Sequence, residues 1–197
     1  MRIGSVTMDN YREMMRIFTN ENQSRLADVK QRVRSESGHW QGSVMSWEGT
    51  PGPIGGRMMT AAEWDAALAA RDPNHIKGLV TVGTDVPSGR MIDLPEHMVQ
   101  GVQDLVRLQF AQILSGERLR NNHGDEIAML QRSFLREIPV QDRRNAMFTM
   151  SQIDQAERQR IESAVREAVP GWQRGMRVSS EIIASILNGG GGRTYHA

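Results

Sequence analysis

Residues 93–116 read DLPEHMVQGVQDLVRLQFAQILSG, and the reading of this stretch decides the fold. Asp93 and Glu96 stand where a helix opens, and Pro95 is tolerated in a first turn whose amides need no intrahelical partner. Met98, Val102, Leu105, Val106, Phe110 and Ile113 then recur at helical spacing. The apolar arc they describe is wide enough to touch neighbours on more than one side, so this is expected to be the central helix of the core. Ser115 and Gly116 end it.

Helical signals continue toward the C-terminus. Asp125 is placed to cap a helix carrying Ile127, Leu130, Phe134 and Leu135, which must stop before Pro139. A long helix is expected from near Asp142, through Met147, Met150, Ile153, Ile161, Ala164, Val165 and Ala168, to Pro170. Ser151 with Asp154 marks a possible restart within it. A last helix spans 180–187, with Ile182, Ile183 and Ile186 apolar and Asn188 and Gly189 placed to end it. The glycine run and tail, 189–197, are expected to be disordered.

Toward the N-terminus, Thr60 and Glu63 form a capping box, with Met59 and Trp64 as its hydrophobic staple, and that helix must end near Asp72 because Pro73 follows. Ile76 to Val82, then Gly83, Pro87 and Gly89, then Met91 and Ile92, allow one small hairpin near 76–92. Residues 37–59 are a Gly/Pro/Trp-rich loop in which Trp40 and Trp47 either plug the core or present a surface. Tyr11, Met14, Met15 and Phe18 share one face of a helix starting near Asn10. Beyond Asn20 the stripe thins to Leu26, Val29 and Val33, which predicts a largely solvated helix.

The expected organisation is therefore an N-terminal helical segment (1–36), the loop (37–59), a helical core (60–188) and the tail. The fold class is mainly α, an irregular helical bundle with at most one small β-hairpin.

Composition narrows the functions. Net charge is +1, so no global field draws the chain to nucleic acid or an anionic membrane. There is no cysteine, hence no disulfide framework and no thiolate nucleophile or ligand. No stretch approaches the roughly 20 apolar residues of a membrane span, and a cytoplasmic location is expected.

The five histidines are dispersed and lack metalloprotease spacing, so no metal is expected. The Gly-rich stretches match neither a phosphate loop nor a dinucleotide fingerprint, and no cofactor is expected. Two polar clusters are compatible with an enzyme of unrecognised type: His97 with Asp93, and His123 with Asp125 and Glu126. Asp93 is equally a helix cap, and the acids near His123 equally complement a helix N-terminus. Arg25, Lys30, Arg32 and Arg34 make a short strip that would contact phosphates as a weak nucleic-acid binder, though Asp28 and Glu36 interrupt it. Thirteen methionines point to an adaptable contact surface or to irregular core packing.

The opening Met1-Arg2-Ile3-Gly4-Ser5 followed by Asn10-Tyr11, together with Pro170-Gly171-Trp172, resembles an uncharacterised bacterial protein family of spore-forming species. The resemblance implies an accessory protein associated with surface or motility structures and transfers no catalytic residue. The reading that results is a non-enzymatic protein that binds a protein partner or itself. Tyr11, Met14, Met15, Phe18, Trp40 and Trp47 are its candidate protein-binding residues.

Overall fold

The computed structural model describes Arg16, Asn20 and residues 22–38, 61–71, 75–77, 89–116 and 123–189. Six α-helices lie among the described residues: α1 (Gln23–Ser37), α2 (Ala61–Arg71), α3 (Glu96–Ser115), α4 (His123–Glu137), α5 (Arg143–Ala168) and α6 (Ser180–Asn188). A 3-10 turn at Val140–Asp142 leads into α5.

The 20 residues of α3 lie at the centre and pack against α1, α4, α5 and α6. Met98, Val102, Leu105, Val106 and Phe110 are buried, as the wide arc predicts, whereas Ile113 is half-buried and Leu114 beside it is the residue enclosed at this end. The arc has a second consequence: Gln103, Asp104, Arg107 and Gln109, lying between its apolar members, are buried with them. A helix covered on several sides has no solvated stripe on which to place such residues.

Pairings across α3 fix the directions of its neighbours. Gly101 faces Phe134, and a Cβ at 101 would stand 2.6 Å from the Phe134 ring, so only glycine lets α4 approach this closely. His97 meets Glu137 further along, so α4 runs opposite to α3. The Ile92 amide donates to Thr149 Oγ1, and Arg107 reaches Glu157, so α5 runs in the same sense as α3.

The N-terminus of α3 corrects one expectation. Pro95 is the N-cap, with its carbonyl accepting from the Met98 and Val99 amides, and no side chain caps the helix. Asp93 stands two residues before that cap, because the fixed φ of proline starts the helix directly behind Pro95. Gly116 ends α3 in the left-handed conformation, as its position requires.

Other boundaries differ for equally local reasons. Helix α4 begins at His123, so Asp125 lies within its first turn instead of ahead of it. Helix α5 is continuous through Ser151 and Asp154. Ser151 Oγ donates back to the Phe148 carbonyl, and Asp154 is held by Arg158, so neither interrupts the ladder of amides. Helix α6 is capped by Ser179, whose Oγ accepts from the Ile182 amide.

Helix α1 is half as expected. Much of it faces solvent, but Leu26 and Val29 are fully in the core, and the Glu36 carboxylate is buried where it pairs with Arg136. Helix α2 ends at Arg71, and its Asp65 pairs with His75 at 2.5 Å. Among the described residues there is no strand: 75–77 and 89–95 belong to none, and the remainder of the expected hairpin lies outside the described residues.

Candidate functional site

Helix α1 lies over α3 and α4 with Leu26, Val29 and Val33 as its inner stripe. At 3.6 residues per turn, Arg25, Asp28 and Arg32 fall on one flank of that stripe, and Lys30, Arg34 and Ser37 on the other. The basic strip read from the sequence is therefore divided between two surfaces, and each surface contains a hollow.

The first hollow is a groove of about 330 Å³ lined by Val29, Lys30, Val33, Arg34 and Ser37 of α1, Leu105 and Leu108 of α3, and Glu126 of α4. Its floor is four branched aliphatic side chains. Lys30 and Arg34 stand at its rim, one helical turn apart, and neither has an ion-pair partner among the described residues. Glu126 is already engaged in an interaction of its own.

The second hollow is a polar cleft of about 90 Å³ lined by Arg25, Asp28, Arg32, His97, Gln100, Gly101 and Asp104. Beside it Arg32 pairs with Glu137 at 2.5 Å and lies 5.0 Å over the Phe134 ring, while His97 meets the same ring edge-on and binds Glu137 at 3.1 Å. Burial pushes the Glu137 carboxyl up, but hydrogen bonding and charge from Arg32, then from His97, outweigh it and hold the group below its ordinary value.

Behind the cleft a run of charges crosses the molecule. Arg25 Nε lies 3.4 Å from Asp104 Oδ2; Asp104 Oδ1 accepts from Arg107 Nη1 at 3.2 Å; Arg107 Nε donates to Glu157 Oε1 at 2.7 Å. Arg160 donates to both Glu157 oxygens at 2.9 and 2.8 Å, and its Nη1 reaches the Ile186 carbonyl at 3.2 Å. This ladder joins α1, α3, α5 and α6.

The two buried acids respond oppositely. Burial raises the Asp104 carboxyl above its ordinary value, with Arg25 and Arg107 opposing the rise only in part. Burial also raises Glu157, but Arg160 and Arg107, hydrogen-bonded to both its oxygens, bring it below its ordinary value. Three charge-assisted donors make the difference.

Of the residues singled out in the sequence, Tyr11, Met14, Met15, Phe18, Trp40 and Trp47 lie outside the described residues, as do His39 and His196. His97 finds Glu137 as its partner across the α3–α4 contact. In the second cluster, Glu126 lines the groove, while His123 and Asp125 lie on the first turn of α4. Among the described residues no three His, Asp or Glu side chains are placed to share a metal ion, and no helix is long and apolar enough to cross a membrane.

Sequence reasoning missed Asp104, Arg107, Glu157 and Leu108. The signal for the first two was present: charges embedded in an apolar arc that wide cannot all reach water.

These features define a mainly helical domain in which one amphipathic helix rests on a buried central helix and leaves a hollow on each flank. The chain belongs to the family described as a domain of unknown function, DUF3879, which matches residues 17–190. No curated protein and no solved structure matches it.

Proposed function

We propose that this chain is a non-enzymatic binding module whose α1–α3 groove receives an apolar, acid-flanked segment of a partner protein. The observation that carries the reading is the pairing, in one groove, of the aliphatic floor Val29, Val33, Leu105 and Leu108 with two rim cations that no described carboxylate neutralises. An apolar floor gives affinity by desolvation, and rim charges select the flanking residues of the guest. Arg25 and Arg32, facing Asp104 and Glu137, are withdrawn from any phosphate-contacting strip, which favours a protein over a nucleic acid. The resemblance to proteins of spore-forming bacteria supports a bacterial accessory role, linked to surface or motility structures.

The test places a photo-crosslinking side chain at Ser37 of the full chain in its native cell and sequences the crosslinked segment. The expected adduct is one separate polypeptide, joined through an apolar stretch with neighbouring Asp or Glu. Its yield should fall several-fold when Lys30→Glu and Arg34→Glu are added. No adduct, an adduct only with a second copy of the chain, or a yield indifferent to the charge reversal would each overturn the reading.

A further inference from the structure

The turn that joins α5 to α6 fixes a methionine at both its backbone and its sulfur. Gly175, with φ at 96°, allows a tight reversal in which the Met176 amide donates to the Gln173 carbonyl at 2.9 Å. The buried Trp172 donates its indole Nε1 to the Met176 carbonyl at 3.0 Å, and Arg174 ties the turn to Glu162 of α5 at 2.7 Å. The methionine side chain folds back over the same turn, where its Sδ accepts from the Gln173 amide at 3.3 Å.

Met176 is nevertheless 50% exposed, whereas Met98 and Met150 are 1% and 0% exposed and Met91, Met129 and Met147 are half-buried. A thioether has no proton to lose, so access, not ionisation, sets how fast it meets a neutral oxidant. Among the described methionines, Met176 is the one the fold leaves open to such a reagent.

The bond to Gln173 adds a stereochemical consequence. A thioether sulfur has two lone pairs, and the Gln173 N–H stands on one of them. Attack by the other on the outer oxygen of a hydroperoxide forms an S–O bond and breaks the O–O bond. The proton on that outer oxygen passes to the departing one. Sulfur gives up two electrons, the peroxide takes them, and water leaves when the reagent is hydrogen peroxide. The two lone pairs lead to opposite sulfoxide epimers, so an amide occupying one of them directs oxidation to the other.

We propose that Met176 is a site of reversible oxidation by hydroperoxides, with one sulfoxide epimer as the main product. Oxidation replaces an apolar side chain on the α5–α6 turn by a polar acceptor, and the reductase specific for that epimer restores the thioether.

The test treats the full chain with dilute hydrogen peroxide, stops the reaction early and cleaves after glutamate. Cleavage releases residues 168–181, whose sole methionine is Met176, and residues 97–117, whose sole methionine is Met98. Mass spectrometry should show the first fragment gaining one oxygen several-fold faster than the second, with tandem spectra assigning the oxygen to Met176 and not to Trp172. Digestion of the oxidised fragment with each of the two epimer-specific reductases should reveal one epimer in several-fold excess. The same treatment in unfolding concentrations of urea should bring the two fragments to equal rates and the epimers to equal amounts. Equal rates in the folded chain, oxygen carried by Trp172 in place of Met176, epimers in equal amounts, or an excess that urea leaves unchanged would each overturn the proposal.

Discussion

Helix α3 makes two kinds of contact, and they differ in what they leave over. Against α5 it is sealed. Phe110 and Val106 of α3 and Ile153 of α5 are fully buried, and the polar groups at the interface are matched: Arg107 to Glu157, and Gln109 to Arg158, which Asp154 also holds. Against α1 it is covered by a narrow stripe whose flanks stop short, so that one side opens as an aliphatic groove and the other as a polar cleft with an unsatisfied oxygen. The sealed contact specifies the register of the bundle. The incomplete one is where the binding proposed above would act.

The comparison breaks most visibly at its sealed side. Glu157→Ala removes the acid shared by Arg107 and Arg160 and strips the buried Arg107 guanidinium of one of its partners; breaking comparable buried pairs costs about 3–5 kcal/mol. Urea titration should show the midpoint falling accordingly. A loss below about 1 kcal/mol, the range of exposed ion pairs, would mean that the interface is wetter than its geometry indicates.

Leu26→Ala probes the other side. Leu26 is fully buried beneath α1, so truncation should cost about 2–4 kcal/mol in the same titration. Because the flanks are hollow and α1 can settle, the cost should fall at the lower end of that range. A loss equal to that of Glu157→Ala would put the two contacts on the same footing and blur the distinction between them.

The smallest effect concerns acid. Glu157 and Glu137 titrate below their ordinary range when folded, so the stability they supply is present above their unfolded pKa values and is lost as pH falls through the folded ones. Asp104 has the opposite sign. Its folded pKa is raised, so its contribution is full below the unfolded pKa and disappears as pH rises through the folded value. Lowering the pH from about 7 toward about 3 should therefore favour the unaltered chain increasingly over Asp104→Asn in urea midpoints. A difference independent of pH would show that Asp104 is ionised alike in both states.

The sequence exposed the helices more readily than the contacts between them. The stripe from Met98 to Ile113 identified the central helix because burial on several sides leaves its mark in local periodicity. Caps were less legible: Asp93 has the right chemistry for a cap, but Pro95 imposes its own start, and Asp125 yields to a helix already begun at His123. The groove was half legible, since Val29, Val33 and Leu105 were recognised as apolar without any sign that they share a wall. The ladder was not legible at all, because nothing local relates Arg107 to an acid 50 positions away. Long-range pairing of charges is decided by packing, and packing is what a single sequence states least directly.

That ladder also governs how the molecule comes apart. Its outer rungs are Arg25, near the start of the described chain, and the Ile186 carbonyl, near its end, with the buried members strung between them. Completing it requires parts of the described chain far apart in sequence to have met, which places it late in assembly, after the local helices have formed. Once it is complete, neither α1 nor α6 can fray without stripping a partner from the charges at the centre. The two helices are thereby coupled into one cooperative unit through the charges between them.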